Sequence, residues 1–271
     1  MAAEKKYNVT CQMGNQGHSG ANYFQFKAWV DAGIIKNVRH VDAYMNKWRR
    51  WHPWGELDRY IAQPVPEYLD WDKWLATRPY HPYNEKLAPG NWRSWYDFGN
   101  GAFGDWGPHI LDTTHQFLRL GLPERIEAFK LEGRKKNIFP MASTINFQFP
   151  CRGKNMPAMD ITWYDGVENR PPRPEELKEG RKIEKCGKII YSDDLTFKGT
   201  SHSSPVRIIP ESKMREMRNE LPRIKGRNSN HYENFLLACK GEEKTRSPFY
   251  IAGPLSQVFT LGVIAQRLGG K

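Results

Sequence analysis

Residues 91–121 read NWRSWYDFGNGAFGDWGPHILDTTHQFLRLG and join aromatic, glycine-rich and helix-forming segments in one span. The glycines between Asn100 and Gly107 predict a tight loop, because glycine adopts positive φ without steric cost. Apolar residues then recur at helical spacing, and Pro108 is expected in the first turn of that helix, where its missing N–H costs nothing. Gly121 is expected to follow its end. The stretch therefore predicts a loop and then a helix.

Two side chains of this stretch suit proton transfer. Asp105 would lie where the helix starts, and His109 would lie one turn further along the same face. Histidine titrates near neutral pH, and a neighbouring carboxylate can orient its ring. The tryptophans of the stretch offer apolar faces that suit sugar rings. The simpler alternatives are that Asp105 is only an N-cap and that His109 is a half-buried histidine satisfied by its neighbours.

The segment GNGAFGDWGPHILD at 99–112 resembles the GG-x-x-x-D-x-x-x-H-x-x-D signature of the glucose–fructose oxidoreductase, inositol dehydrogenase and rhizopine catabolism family (Gfo/Idh/MocA), in its bacterial predicted-dehydrogenase branch. In that family the Asp and the His lie at the sugar hydroxyl that is oxidised, and the His accepts the proton. These two positions match Asp105 and His109. Further segments look like the same branch and occur in the same order: CQMGNQGHSG (11–20), DAGIIKNVRHVDAY (31–44), PVPEYLDWDKWLATRPYHPYN (64–84), TWYDG (162–166), ACKGEE (238–243) and PLSQVFTLGVIAQR (254–267).

The resemblance implies an α+β fold with a large, open, mostly antiparallel sheet and helices packed on one face, preceded by a remnant β–α unit of a Rossmann domain. Residues 1–36 would be that remnant, and 37–271 the substrate and oligomerisation domain, with an aromatic-rich arm at 46–96. Sequence periodicity agrees, since consecutive strands without intervening helices favour an antiparallel sheet. Strands are predicted at 7–13, 38–45, 126–131, 143–149, 159–164, 188–191 and 206–209, helices at about 21–32, 70–75, 231–239 and 254–268, and an exposed loop at 168–186.

Six further residues are predicted to contact a substrate. Three of them belong to the glycine-rich loop at 11–20, which the resemblance places facing the active site, although a plain turn is the alternative. The others flank the Asp105–His109 pair. The set is Gln12, Asn15, His18, Trp92, Arg93 and Asp112. His231 could approach the same site, but it could also simply be a polar residue at a helix start.

Composition excludes several function classes. The 271-residue chain has a formal net charge of +11, but its Lys and Arg are spread out and no nucleic-acid-binding motif occurs, so this charge is expected to be solvated surface. The four Cys are far apart and show no CxxC spacing, which predicts reduced thiols and no metal site. No apolar run approaches 18 residues and no signal peptide is visible, so no membrane span and a cytoplasmic location are expected.

Family members bind NAD or NADP through an N-terminal Rossmann domain and also carry a Glu-Lys-Pro motif, whose lysine joins the Asp and the His. The sequence contains neither feature in the required context. Gly99, Gly101 and Gly104 do spell G-x-G-x-x-G, but no βαβ unit surrounds them. A nicotinamide cofactor is therefore expected from the resemblance, but not to be bound by this chain alone.

Three functional hypotheses follow. The chain is the substrate domain of a sugar or polyol dehydrogenase, not redox-competent alone, with His109 and Asp105 as its proton-transfer residues. Alternatively, it is a cofactor-free carbohydrate-active acid–base enzyme, such as a hydrolase, lyase or isomerase. The third hypothesis is a non-catalytic module that binds sugars or assembles, since the open sheet of this family commonly forms the interface of a homo-oligomer.

Overall fold

The computed structural model describes residues 1–48, 61–88, 90–177, 182–224 and 228–269. In this part of the chain the strands are β1 Val38–Met45, β2 Arg125–Glu132, β3 Ala142–Phe149, β4 Met159–Asp165, β5 Cys186–Ser192, β6 Thr196–Gly199 and β7 Arg207–Ile209. The α-helices are α1 Ala2–Tyr7, α2 Ala21–Asp31, α3 Trp71–Leu75, α4 Gly101–Phe117, α5 Glu211–Glu216, α6 His231–Cys239 and α7 Phe249–Leu268. Short 3-10 helices occur at Gln16–Ser19, Asn91–Ser94 and Met217–Asn219.

The strands form one open sheet in the order β2-β3-β4-β1-β5-β6-β7. Only β1 and β4 pair in parallel, and every other neighbouring pair is antiparallel. The predicted mostly antiparallel α+β sheet is therefore confirmed. The prediction missed β6, because in this four-residue strand Phe197 is the one large apolar side chain.

Helices α2, α4 and α7 cover one face of the sheet and bury the main core. At its centre the ring of Phe103 on α4 lies 5.2 Å from Phe147 on β3 and 5.0 Å from Trp163 on β4. Trp29 of α2 packs 6.1 Å from Phe197 on β6. Burial of these large apolar surfaces is the main force that holds the helices on the sheet.

The central helix α4 begins at Gly101, so the predicted loop at 100–107 is wrong. Pro108 lies two turns inside this helix and not in its first turn. The glycines serve packing instead of a turn, because a Cβ at Gly107 would lie 2.3 Å from the ring of Phe259 on α7. In the same way, a Cβ at Gly262 on α7 would lie 2.3 Å from the ring of Phe103. Each helix thus receives an aromatic ring of the other at a position without a side chain.

The predicted strand at 7–13 is also wrong. Helix α1 ends at Tyr7, and the chain then runs irregularly to Met13. Its contacts are single bonds and not a ladder: the Met13 N–H donates to Ser247 O (2.9 Å), and the Thr245 hydroxyl donates to Cys11 O (2.9 Å). A strand needs a neighbouring strand to satisfy its backbone groups, and β-forming residues alone cannot supply one. The following helix, α2, confirms the predicted one, while the assignment of 1–36 to a remnant domain stays a prediction.

The sheet face opposite the helices is partly covered by residues 166–177, which we call the strap. The Asn46 amide on the β1 side donates to Gly166 O (2.7 Å) and Asn169 O (2.9 Å). Leu177 is buried, and the Thr196 hydroxyl of β6 donates to Glu176. The prediction of a wholly exposed loop at 168–186 is therefore wrong for the strap, because Pro171, Pro174 and Leu177 are buried. Residues 178–181 of that loop lie outside the described residues.

The aromatic-rich arm predicted at 46–96 is described in part, and residues 49–60, with Trp51 and Trp54, lie outside the described residues. The remainder forms a small core of its own. Trp71 and Trp74 stack at 4.6 Å, and Trp71 and Trp95 are almost completely buried. The simpler interpretation, aromatic residues buried within the arm itself, describes these two side chains.

The last two helices agree with prediction except at one end. Helix α6 has the predicted bounds, and the Asn230 side chain caps it within a capping box. Helix α7 begins at Phe249, earlier than predicted, so Pro254 lies inside it. Among the described residues, α7 alone is long and apolar enough to cross a membrane by length and composition, a test that the core helix of a protein also passes. Here Leu255, Val258 and Phe259 of α7 are buried in the main core.

Candidate active site

Helix α4 carries three of the predicted site residues on successive turns. Asp105 lies in its second turn, so the alternative that Asp105 is only an N-cap is wrong; the N-cap is Asn100. His109 follows one turn later and Asp112 three residues after that. Among the described residues no hydrogen bond joins Asp105 to His109. Each of the three instead contacts a different part of the chain.

Asp105 is paired with Arg93, which belongs to the 3-10 helix Asn91–Ser94 of the arm. The Arg93 Nε donates to Asp105 Oδ1 at 3.1 Å, and about a quarter of each side chain remains exposed (25% and 30%). The guanidinium lies 4.3 Å above the ring of Trp92. A planar guanidinium held on an aromatic face and a carboxylate can present its remaining N–H groups to hydroxyl oxygens. The structure thus brings the predicted residues Trp92, Arg93 and Asp105 together.

His109 is half-buried and is contacted by a residue that sequence reasoning missed. The imidazole of His202, in the loop between β6 and β7, stacks on the ring of His109 at 4.4 Å and 13°. Trp106 meets both rings edge to face, at 6.1 Å from His109 and 5.4 Å from His202. The Lys47 ammonium lies 5.6 Å above Trp106. Nothing in the spacing of SHSSP at 201–205 indicates that this segment would reach α4.

Asp112 lies inside the protein with two predicted residues of the glycine-rich loop. Its Oδ2 lies 3.1 Å from His18 Nδ1 and 3.5 Å from the Asn15 amide nitrogen. The other ring nitrogen of His18 faces Arg246 O at 3.0 Å. The ring of His18 thus lies between two hydrogen-bond acceptors, the Asp112 carboxylate and Arg246 O. Asn15, His18 and Asp112 therefore brace α4 against the loop, and their contact with a substrate stays a prediction.

A buried lysine lies beneath this part of α4. Lys188 of β5 points into the helix layer, where its ammonium donates to Ile110 O at 2.5 Å. Burial lowers the pKa of Lys188 to about 8, although the charge of Asp112 opposes the shift. The sequence carries a signal for this residue, because in β5 Lys188 alternates with Cys186 and Ile190 on the apolar side.

Gln12 and His231 support the glycine-rich loop at 14–20 and are not part of the α4 surface. The Gln12 amide donates to His231 O at 2.8 Å. The His231 ring lies 2.7 Å from the Ser19 hydroxyl and 2.8 Å from Met13 O. Burial lowers the pKa of His231, which favours a neutral ring that donates to Met13 O and accepts from Ser19. The interpretation of His231 as a structural residue at a helix start agrees with these contacts.

The glycine-rich loop at 14–20 does not fit a dinucleotide. It precedes a helix, but no strand leads into it in the described chain. A Cβ at Gly17 would lie 2.9 Å from His202 Cα, and a Cβ at Gly20 would lie 2.0 Å from Ser203 Cβ. The space that a diphosphate would need against these glycines is thus filled by the protein itself. Within the described residues, no group of three or more His, Cys, Asp or Glu could hold a metal ion.

Solved structures share this open-sheet fold. An NAD-binding protein from Listeria innocua aligns with a TM-score of 0.52 and 12% identity, over 98% of this chain and 66% of its own. A protein assigned as an NADPH-dependent oxidoreductase from Desulfitobacterium hafniense aligns with a TM-score of 0.52 and 12% identity, over 97% of this chain and 65% of its own. The chain therefore spans about two thirds of the length of the solved structures that it matches (66% and 65%).

A family model matches residues 23–127, which include β1, the arm and α4. The model is GFO_IDH_MocA_C2, described as the C-terminal alpha/beta domain of an oxidoreductase family. None of the curated proteins matches the sequence. The resemblance of the chain to the C-terminal domain of the Gfo/Idh/MocA oxidoreductases is thereby confirmed.

Proposed function

We propose that this chain forms the substrate side of an NAD- or NADP-dependent dehydrogenase that oxidises a hydroxyl group of a sugar or polyol. The observation that carries the proposal is the surface of α4, where His109 and the Arg93–Asp105 ion pair lie one helical turn apart. In this proposal His109 accepts the proton of the substrate hydroxyl. Asp105 and Arg93 bind neighbouring hydroxyl groups, and Trp92 lies beside them as an apolar surface.

The glycine-rich loop does not fit the cofactor, so the part of the reaction that belongs to this chain is the handling of substrate and proton. A nicotinamide cofactor held outside this chain would supply the hydride acceptor for the carbon whose hydroxyl gives its proton to His109. The residues of this chain bind the sugar, orient the hydroxyl and hold the proton. We also propose that this chain alone binds no dinucleotide and that the protein is cytoplasmic.

A second candidate is a cofactor-free acid–base enzyme that acts on carbohydrates. It is favoured by the close packing of Gly17 and Gly20 against the loop between β6 and β7, because this packing leaves no space for an anion at the glycine-rich loop. An acid–base reaction would use His109 and Asp105 in the same places. It would differ by proceeding without an electron acceptor.

Calorimetric titration of the full chain with a panel of pyranoses and inositols, and separately with NAD(H) and NADP(H), tests both candidates. We expect a sugar or polyol to bind, and His109→Ala and Asp105→Asn each to weaken that binding at least about tenfold, the effect of losing one charge-assisted hydrogen bond. His115→Gln is the matched control, because His115 lies on the same helix but its ring donates to Gly121 O (2.8 Å).

The outcomes separate the candidates. No binding of any sugar or polyol, or equal loss in His115→Gln, overturns the proposed site. Micromolar binding of a dinucleotide by this chain would contradict the conclusion that its glycine-rich loop does not fit one. Turnover of a bound sugar without any dinucleotide, abolished in His109→Ala, establishes the second candidate instead.

A further inference from the structure

The glycine-rich loop at 14–20 has a structural purpose that the sequence does not reveal. It lies against the loop at 200–205, which joins β6 to β7. Any side chain at Gly17 or Gly20 would collide with residues 202 and 203, at 2.9 Å and 2.0 Å from the nearest atoms. The Asn22 N–H donates to Ser203 O at 3.0 Å and ties α2 to the same segment. The glycines therefore allow this segment to approach α4.

On its other side the segment is fixed to His109. The His202 N–H donates to His109 O at 2.6 Å. The backbone at His202 is left-handed, with φ of 57°, a region that residues other than glycine seldom adopt. Residues stay in such a region where the surrounding structure holds them, as the contacts with α2 and α4 do here.

The consequence is a pair of imidazoles in face-to-face contact, with centroids 4.4 Å apart and an interplanar angle of 13°. A proton on either ring places a positive charge against the face of the other ring. Two positive charges at this separation repel each other, so a charged His202 ring opposes a positive charge on His109. Two titrating groups that interact strongly take up protons in coupled steps.

We propose that His202 is a positioning residue of the candidate active site, which fixes the ring plane of His109 and couples proton uptake by His109 to its own. The use of this coupling in a reaction rests on the proposed function, whereas the coupling itself does not. Charged groups in the neighbourhood of the pair are Asp105 one turn earlier on α4, Arg93 bound to Asp105, and Lys47 above Trp106, and His202 Nδ1 lies 3.0 Å from the Ser201 hydroxyl. None of these is removed by changing His202.

The test is a pH titration of the full chain labelled with ¹⁵N-histidine, followed through the ring signals of His109 by NMR. The variants are His202→Phe, which keeps a stacked ring without a titrating group, and His202→Ala, which removes the ring. Ser204→Ala in the same loop is the matched control. The His109 signals are assigned by their loss in His109→Gln, and thermal unfolding checks that every variant is folded.

We expect the His109 signals of the wild type and of Ser204→Ala to move in two steps, because they sense protonation of both rings. His202→Phe should keep the ring-current-shifted position of these signals and move them in one step. His202→Ala should lose both the shifted position and the second step. Titration curves that superimpose in wild type and His202→Phe, or His109 signals that His202→Ala leaves in place, overturn the proposal.

The test needs no substrate, so it can be separated from the proposed function. Coupled titration supports the positioning role even where the calorimetric panel finds no sugar. Where a sugar binds, the midpoint of its pH dependence should shift in His202→Phe and stay in place in Ser204→Ala. A midpoint that is the same in both variants contradicts the coupling at the site.

Discussion

At His40 two carboxylates share one imidazole on the sheet face opposite the helices. Nδ1 lies 2.8 Å from Asp160 and Nε2 lies 2.9 Å from Asp42. Burial alone would disfavour the charged ring, but the hydrogen bonds to Asp160 and Asp42 outweigh it and raise the pKa of His40 to about 9. Because the folded pKa is above the unfolded value, this stabilisation is complete below about pH 6.5 and is lost as pH rises through 9.

We therefore expect the free energy of unfolding to fall by about 1–3 kcal/mol between roughly pH 6 and pH 10 through this residue, since the ring is partly exposed and each pKa unit is worth about 1.4 kcal/mol. Urea unfolding of wild type and His40→Gln across this range measures it. The variant should be less stable at low pH, because the buried Asp42 loses its charged partner and keeps only neutral donors such as the Tyr191 hydroxyl. Its stability should also depend less on pH, and an unchanged pH slope would refute the assignment.

Single residues show which parts of the site a sequence can predict. The i, i+4 spacing of Asp105 and His109 was sufficient to place both on one helix face, because the helical period is local and fixed. Their partners were not predictable in this way. Arg93 arrives from the arm and His202 from a loop between two strands, so both contacts depend on the packing of distant segments.

At the level of elements, the crossing of α4 and α7 depends on Gly107. Alanine there would place a Cβ 2.3 Å from the ring of Phe259. Alanine favours a helix by about 1 kcal/mol over glycine, but overpacking a rigid ring typically costs about 1–3 kcal/mol. We expect Gly107→Ala to lower the free energy of unfolding, measured in urea, and Phe259→Leu to restore part of the loss in the double variant.

Gly253→Ala on α7 is the matched control for this prediction. Its Cβ would meet Met1 Sδ at 2.7 Å, the end of a flexible side chain that can move away. The control should therefore be as stable as wild type or slightly more stable. Equal stability of Gly107→Ala and wild type would show that the two helices do not cross at this glycine.

Elements with a strong local pattern were predicted well, and those shaped by contacts were not. Helix α6 has its predicted bounds because Asn230 and the residues after it form a capping box within one turn. The start of α4 was missed because glycine favours a loop when only neighbours in sequence are considered. The prediction of a strand at 7–13 was wrong for a different reason. These residues favour a strand, but no neighbouring strand is present among the described residues.

Across the whole molecule, the two faces of the sheet are covered unequally. The helices cover one face, and the strap at 166–177 covers part of the other, next to β1 and β6. The strap also contacts the start of β3, where the Asn169 amide donates to Ser143 O and to the Thr144 hydroxyl. On the edge strand β2, Phe129 is 62% exposed within a bulge. Because a bulge interrupts strand pairing at this edge, association here would rest on the exposed aromatic surface and not on added strands. We propose that the edge of the open sheet around Phe129 forms the contact of a homo-oligomer.

Size-exclusion chromatography with light scattering measures the mass of the assembly. We expect wild type to form a dimer or larger oligomer at micromolar concentration, and Phe129→Glu to shift it towards the monomer, because a carboxylate buried in the contact would lose its hydration without gaining a partner. Leu236→Glu is the control, since Leu236 on α6 is equally exposed (62%) but lies outside the sheet. A monomeric wild type, or dissociation by Leu236→Glu and not by Phe129→Glu, would place the contact elsewhere and leave this edge of the sheet as solvated surface.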